Sequence, residues 1–189
     1  PSYISTPQAG ITAAAGTGAT ITFNDGTDID AAAKAAAAAD VALVFVGTLS
    51  HEGGDRASLS LDDGCDVAKD EPQCTGNNNN QNAMVQAVAK ASKNVVVVAS
   101  VPGAILMPWS NDVQAILTNF LPGQQAGNAI ADVLFGKYNP TARLPLTFPN
   151  RENETNFSPA QWPGLPDPTK PVYANYTEKL LVGTCFNKC

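Results

Sequence analysis

The sequence predicts an α/β fold with a mostly parallel sheet and helices on both of its faces. The prediction starts from three short, continuous apolar runs, which are typical of strands buried on both faces of a parallel sheet. These runs are Val41–Val46, Val95–Val98 and Ala115–Phe120. Segments with helical spacing alternate with them, and that alternation indicates parallel strands joined by helical crossovers.

The helices are predicted from alanine content, capping residues and apolar spacing. An alanine-rich helix is expected from about Ile29 to Ala39, capped by Asp28 or Asp30, because alanine has the highest helix propensity. Two further helices have apolar residues at helical spacing: Gln81–Ser92, and Gln125–Phe135, which Gly136 ends.

Two shorter strands complete the prediction. Thr20–Phe23 alternates threonine with apolar residues, and Leu144–Phe148 is a short apolar segment bracketed by prolines. Composition then shifts toward Asn, Glu, Pro and Ser. We therefore expect residues 1–149 to form an α/β sandwich domain and residues 150–189 to form an extended, Pro/Asn-rich tail that packs on it.

Composition excludes several functional classes. The chain has 189 residues and a net charge of -6, with only 15% charged residues and no basic stripe, which argues against nucleic acid and against an anionic membrane surface. Its longest apolar run, Val95–Met107, is broken by proline and glycine and falls short of the roughly 20 residues that span a bilayer. A single His gives poor support for a metal site. The chain opens at Pro1 without an initiator Met, which we interpret as a processed product or a fragment.

Cysteines and glycosylation motifs indicate a secreted glycoprotein. The four cysteines form two local pairs, and Cys65–Cys74 with Cys185–Cys189 is the simplest of three possible disulfide connectivities; four free thiols are the alternative. Three N-x-[ST] motifs begin at Asn153, Asn156 and Asn175. Pro159 directly follows the second motif, which makes it the least suitable acceptor.

The densest cluster of ionisable residues follows the first buried strand. It reads Ser50-His51-Glu52-Gly53-Gly54-Asp55-Arg56. Ligands of parallel α/β sheets gather beyond the carboxyl ends of the strands, where this loop begins. The alternative is that Asp55 and Arg56 only fix the loop while Glu52 is solvated. A Ser-His-Glu triad is rejected, because adjacent residues cannot generally place their side chains as a triad requires.

Three other segments are weaker candidates. Trp109 could stack on a sugar, or it could be a core or interface residue. The segment Pro122–Gln125 could bind a ligand or form a structural turn. The asparagine run at residues 77–80 is interpreted as a flexible loop.

Several of these residues together resemble glycoside hydrolase family 3. The loop cluster, followed by Leu59-Ser60-Leu61 and Gln81, is similar to the family's E-G-x-D-R…L-x-L…Q pattern. A longer signature resembles P-G-Q-x-x-G-x-A-x-A-D-V-L-F-G…N-P…R-L-P-x-T-F-P and runs from Pro122 to Pro149. The segment from Tyr176 to Gly183 resembles a downstream family stretch. The resemblance covers about Pro7 to Gly183.

The resemblance implies the C-terminal α/β sandwich domain of a retaining β-glucosidase that acts on β-linked glucosides without a cofactor. It places the catalytic acid/base at Glu52, with Asp55 and Arg56 orienting the loop and His51 contacting the substrate or Glu52. Trp109, chosen on its residue type alone, remains a candidate for binding substrate or supporting the loop. The family's nucleophile is an Asp on a separate barrel domain, so the chain alone is expected to be inactive. The sequence departs from the pattern at Gln125, where many members have Glu, and at Thr141-Ala142, where Ser-Gly is commoner.

Two hypotheses remain open. Either the chain is part of an active enzyme, with a barrel domain as partner, or it is a non-catalytic secreted glycoprotein. In the second case it would bind sugars or assemble with copies of itself, with Ser2–Ser5 as a segment for strand addition.

Overall fold

In the described part of the chain, three parallel strands and four α-helices form the main body. A computed structural model describes residues 2–50, 52–53, 56, 58–62, 80–152, 154, 156–177 and 179. The strands are β1 (Ala42–Gly47), β2 (Val95–Ser100) and β3 (Ala115–Thr118), and they pair in the order β1-β2-β3. The predicted α/β class with a parallel sheet is confirmed.

The helices pack as two pairs. They are α1 (Pro7–Ala15), α2 (Ile29–Ala37), α3 (Gln81–Ala91) and α4 (Ala126–Leu134), and α1 packs on α4 while α2 packs on α3. Asp28 is the N-cap of α2, since its carboxylate accepts a hydrogen bond of 2.9 Å from the Ala31 amide. The sequence prediction missed α1, although Thr6 at its N-cap and Pro7 at its first turn are favoured there.

The core lies between the sheet and the α2–α3 pair. Its members on these helices and strands are small or β-branched side chains: Ala32 and Ala36 of α2, Val85 and Val88 of α3, Val44 and Val46 of β1, and Val95, Val97 and Ala99 of β2. Val98 points to the opposite face of β2 and is also fully buried. The central strand is therefore buried on both faces, as its continuous apolar run predicts.

The α1–α4 pair depends on glycine, because its backbones approach closely. A Cβ atom on Gly127 would overlap the carbonyl oxygen of Thr6, and one on Gly10 would overlap the carbonyl oxygen of Gly127. The Gly127 amide also donates to the Ser5 carbonyl at 2.9 Å. This contact holds the N-terminal segment against the first turn of α4.

Gly127→Ala is expected to lower the free energy of unfolding by about 1–3 kcal/mol, because the helices must separate to admit the methyl group. Alanine's higher helix propensity offsets only about 1 kcal/mol of the underlying strain. Chemical denaturation measures the change. Gly18→Ala is the control, since nothing lies within 4 Å of a Cβ there. Equal stability of the two variants would contradict the close approach of α1 and α4.

Two predicted strands are wrong. Residues 20–23 have no regular structure, and Ile21 and Phe23 are exposed. No strand among the described residues pairs with this segment, so its alternating pattern does not produce a strand. Residues 144–148 also form no strand. Pro145 lacks the backbone N–H that a strand ladder needs, and Phe148 instead packs against the core from an irregular segment.

A small hairpin that the sequence prediction missed lies in the region assigned to the tail. It pairs β4 (Leu165–Asp167) with β5 (Lys170–Tyr173) in antiparallel fashion. Asp167 accepts a hydrogen bond of 2.7 Å from the Thr169 amide, which closes the turn. The division into a domain and a tail stays a prediction.

Candidate active-site loop

The carboxyl ends of the three parallel strands form one edge of the sheet. Gly47 pairs with Ser100 at this edge, and Ala99 pairs with Thr118. The side chain of Ser100 donates a hydrogen bond of 2.8 Å to the Asn119 amide oxygen. The loop that contains the predicted acid/base starts here, directly after β1, which is the edge where parallel α/β sheets bind ligands.

Gln81 holds the base of this loop. Its side-chain oxygen accepts a bond of 2.8 Å from the Gly47 amide, and its side-chain nitrogen donates to the Gly47 carbonyl at 2.9 Å. The same nitrogen donates to the Leu61 carbonyl at 3.2 Å. Gln81 is almost fully buried, so these bonds satisfy groups that would otherwise be costly to desolvate. One side chain therefore joins the strand end, the returning loop and helix α3.

Asp62 fixes the point where the loop returns. Its Oδ1 accepts bonds from the amides of Gln81 at 2.8 Å and Asn82 at 3.3 Å, at the start of α3. Asn80, the local N-cap, makes no side-chain capping bond, so Asp62 caps the helix from a distance in sequence. A carboxylate is favoured at a helix N-terminus, where unpaired amides and the helix dipole meet it. The sequence analysis missed Asp62, because long-range caps have no local signature.

Trp109 lies in the core beneath this returning segment. The residue has no exposed surface, and its indole nitrogen donates to the Asn82 side-chain oxygen at 2.9 Å. Asn82 in turn donates to the Asp62 carboxylate at 3.0 Å. A ring without exposed surface offers no face to a sugar, so the stacking interpretation does not fit. The alternative, support of the loop, fits these contacts.

Arg56 lies half-buried on the outgoing part of the loop. Its Nη2 donates to the Ala104 carbonyl at 2.6 Å, and its Nη1 is buried without a hydrogen-bond partner among the described residues. Burial lowers the pKa of the guanidinium, and attraction to Glu152 opposes that shift. The guanidinium keeps its charge at any physiological pH. The predicted support of the loop by Arg56 fits this position.

Glu152, which is distant in sequence, binds the segment that follows Arg56. Its Oε1 accepts hydrogen bonds of 2.7 Å from the Ser58 hydroxyl and 2.6 Å from the Leu59 amide. These two bonds lower the pKa of the Glu152 carboxyl, and attraction to Arg56 lowers it further. The sequence analysis did not single out Glu152.

The lowered pKa predicts how the contribution of Glu152 depends on pH. Because the folded-state pKa lies below the unfolded value of about 4.3, the stabilisation is present above that value and lost as pH falls through the folded pKa. Wild type should therefore exceed Glu152→Gln in stability near pH 7, and the difference should shrink toward pH 3. Denaturant unfolding at several pH values tests this, and a difference independent of pH would contradict it.

Glu52 lies in an exposed turn between these fixed points and the strand. Gly53 follows it with a φ of 75°, a backbone conformation that residues other than glycine rarely adopt. The Glu52 side chain is exposed in this turn and is therefore accessible to a ligand or to another protein surface. His51 and Asp55, the other predicted loop residues, lie outside the described residues, as do the four predicted disulfide residues and Asn153.

A shallow pocket of about 210 Å³ lies beside Trp109, and its lining includes Asn150, two residues before Glu152 in sequence. Its lining residues are Met107, Pro108, Ser110, Asn111, Phe148, Pro149 and Asn150. None of them is ionisable, so the pocket offers hydrogen bonds but no acid or base. Among the described residues no group of three or more His, Cys, Asp or Glu could hold a metal ion. Within the same residues, no helix is both long and apolar enough to cross a membrane.

Comparison with known proteins decides the family. The profile of the glycosyl hydrolase family 3 C-terminal domain matches residues 1–184. The chain belongs to glycoside hydrolase family 3. The predicted resemblance is thereby confirmed, and the chain is the C-terminal domain of that family.

Curated relatives and solved structures agree with this assignment. A β-glucosidase of Schizophyllum commune is 41% identical over 160 residues, which cover 77% of this chain and 74% of that protein. Thermostable β-glucosidase B of Acetivibrio thermocellus is 37% identical over 166 residues, covering 85% of this chain but only 19% of that protein. The family 3 β-glucosidase structure from Neurospora crassa superposes with a TM-score of 0.71 at 27% identity, over 96% of this chain and 21% of that one. β-Glucosidase D2-BGL from Chaetomella raphigera gives 0.70 at 32%, over 96% and 23%.

The family 3 assignment thus rests on a domain-sized match. The chain spans about a fifth of the length of the A. thermocellus relative and of these two structures.

Proposed function

We propose that this chain is the domain of a retaining β-glucosidase that provides the catalytic acid/base, Glu52, to an active site completed by a barrel domain. Membership of family 3 and the β-glucosidase relatives support this proposal. The observation that carries it is the exposed Glu52 turn, which extends from the carboxyl edge of the sheet on a loop with several fixed points.

The chemistry is a double displacement with two carboxyl groups about 5–5.5 Å apart. An Asp of the barrel domain attacks the anomeric carbon while Glu52 protonates the leaving glycosidic oxygen. Glu52, now ionised, then removes a proton from the water that releases the sugar from the Asp. The substrate is a β-linked glucoside or oligosaccharide. This chain alone lacks the nucleophile, so it is inactive by itself.

Assays of the chain alone, and of the same domain joined to its barrel, test the proposal. We expect hydrolysis of β-glucosides only in the second case, with retention of anomeric configuration. Intact mass and native size of the purified protein show whether a barrel-sized polypeptide accompanies the chain. The proposal would be contradicted if the joined protein folds but neither binds nor cleaves β-glucosides.

Exposed apolar side chains near the N-terminus favour a second candidate, a non-catalytic structural subunit that assembles with copies of itself. Tyr3, Ile4 and Leu121 are 55%, 63% and 81% exposed, and the Ser5 amide bonds to the Gln124 carbonyl at 2.9 Å, which brings these segments together. A face of this kind is suited to being covered by another protein surface. A large homopolymer of this chain alone in electron micrographs would favour this candidate over the enzyme.

Secretion and glycosylation belong to the same proposal. Asn156 and Asn175 are both exposed, as an acceptor asparagine must be. In the Asn156 motif, however, the Ser158 hydroxyl is bonded to the Gln161 side-chain oxygen at 3.0 Å, and Pro159 follows. We expect Asn175 to be glycosylated and Asn156 to remain bare. Peptide mass spectrometry of protein from a eukaryotic secretory host tests this, and a glycan on Asn156 would contradict it.

A further inference from the structure

We propose that Glu152 is a positioning residue for the acid/base loop, an inference that rests on the proposed function of Glu52. Glu152 does not itself touch the substrate in this proposal. It holds the segment that follows Glu52, so that the acid/base carboxyl meets the glycosidic oxygen at hydrogen-bonding distance.

The contacts of Glu152 join two segments that are far apart in sequence. One carboxylate oxygen accepts from both the Ser58 hydroxyl, at 2.7 Å, and the Leu59 amide, at 2.6 Å. These partners lie 94 and 93 residues away in sequence. Hydrogen bonds to an ionised acceptor are stronger than bonds between neutral groups.

The opposite side of the same segment is fixed by backbone groups. The Leu106 amide donates to the Leu59 carbonyl at 2.9 Å, and Arg56 donates to the Ala104 carbonyl at 2.6 Å. Arg56, Ser58 and Leu59 are therefore held between the segment at 104–106 and the Glu152 carboxylate. Arg56 is only four residues from Glu52, so a shift of this segment moves the catalytic turn.

Proton transfer makes such a shift costly. A general acid works within about 2.6–3.2 Å of the atom it protonates. Misplacement by about 1 Å can cost on the order of 100-fold in rate. The role of Glu152 in stability is smaller, because its carboxylate is exposed and it is not among the buried core residues. Its loss should therefore affect the acid-dependent step more than the fold.

The test uses the protein in which this domain is joined to its barrel. Glu152→Ala removes both hydrogen bonds, while Glu152→Gln keeps an acceptor oxygen and loses the charge that attracts Arg56. Glu154→Ala is the matched control, because Glu154 is also an exposed carboxylate but bonds Asn150 instead of the loop. Each variant is assayed on a disaccharide, which has a poor leaving group, and on a dinitrophenyl glucoside, which needs little protonation.

We expect Glu152→Ala to lower kcat/KM for the disaccharide by about 10- to 100-fold, with less than about 3-fold loss for the aryl glucoside. Glu152→Gln should fall between wild type and Glu152→Ala, Glu152→Asp should recover part of the loss, and Glu154→Ala should behave as wild type. Hydrogen exchange should be faster at Leu59 in Glu152→Ala.

Equal losses on both substrates, no loss on either, or the same pattern in Glu154→Ala would overturn the positioning role. Unchanged exchange at Leu59 would overturn it as well. Glu52→Gln in the same background separates this outcome from failure of the proposed function. If Glu52→Gln shows the leaving-group dependence and Glu152→Ala does not, only the role of Glu152 is wrong.

Discussion

Glu52→Gln is expected to slow the hydrolysis of substrates with poor leaving groups by about 100- to 10,000-fold in the barrel-joined protein. Glutamine has nearly the same shape as glutamate but cannot donate a carboxyl proton to the departing oxygen. Activated aryl glucosides should lose much less in the first chemical step, because their leaving groups depart without protonation. Rapid-mixing measurements of aryl release separate this step from the later attack of water.

A comparison of the two substrate classes distinguishes acid catalysis from simple binding. If Glu52 only bound substrate, Glu52→Gln would affect both classes equally and mainly through KM. Equal loss in the first step would therefore contradict the acid role. Asp30→Asn is a suitable control, since Asp30 is an exposed carboxylate in the first turn of α2, on a different element.

The sheet could be predicted from sequence because continuous apolar runs are typical of parallel strands. Burial on both faces was correct for β2 only, since β1 buries Val44 and Val46 on one face and β3 has no fully buried residue. The runs at Val41–Val46 and Val95–Val98 each match a strand to within two residues at either end. Alternation was less informative, because at residues 20–23 it occurs without any neighbouring strand. An alternating sequence shows that a segment is suited to a strand, but strand formation also requires a neighbouring strand to pair with.

The site could be predicted only in part, for a similar reason. The position of Glu52 and Arg56 after a buried strand, with glycines beside them, indicated a functional loop. The residues that hold this loop are Gln81, Asp62 and Glu152, and their contacts span between 19 and 94 residues of sequence. The family pattern pointed to Gln81, but nothing local marks a carboxylate that accepts from an amide far away in the chain. Such contacts depend on the finished fold.

Trp109→Ala is expected to lower the free energy of unfolding by about 3–5 kcal/mol, the range for removing a large aromatic side chain from a core. Trp109 is fully buried with Val97, Ile105 and Leu61 in the same apolar cluster. Its loss leaves a cavity and also removes the donor to Asn82, which is itself bonded to Asp62. Denaturant unfolding of the 189-residue chain measures the effect.

Trp109→Phe separates the two contributions, since it keeps most of the apolar volume and removes only the indole N–H. We expect a smaller loss, of about 1–3 kcal/mol, because the half-buried Asn82 oxygen would lose its donor. A tryptophan that stacked on a sugar would behave in the opposite way: Trp109→Ala would raise KM for glucosides while changing stability by less than about 1 kcal/mol. The relative size of these effects on stability and KM therefore decides whether Trp109 supports the loop or binds the substrate.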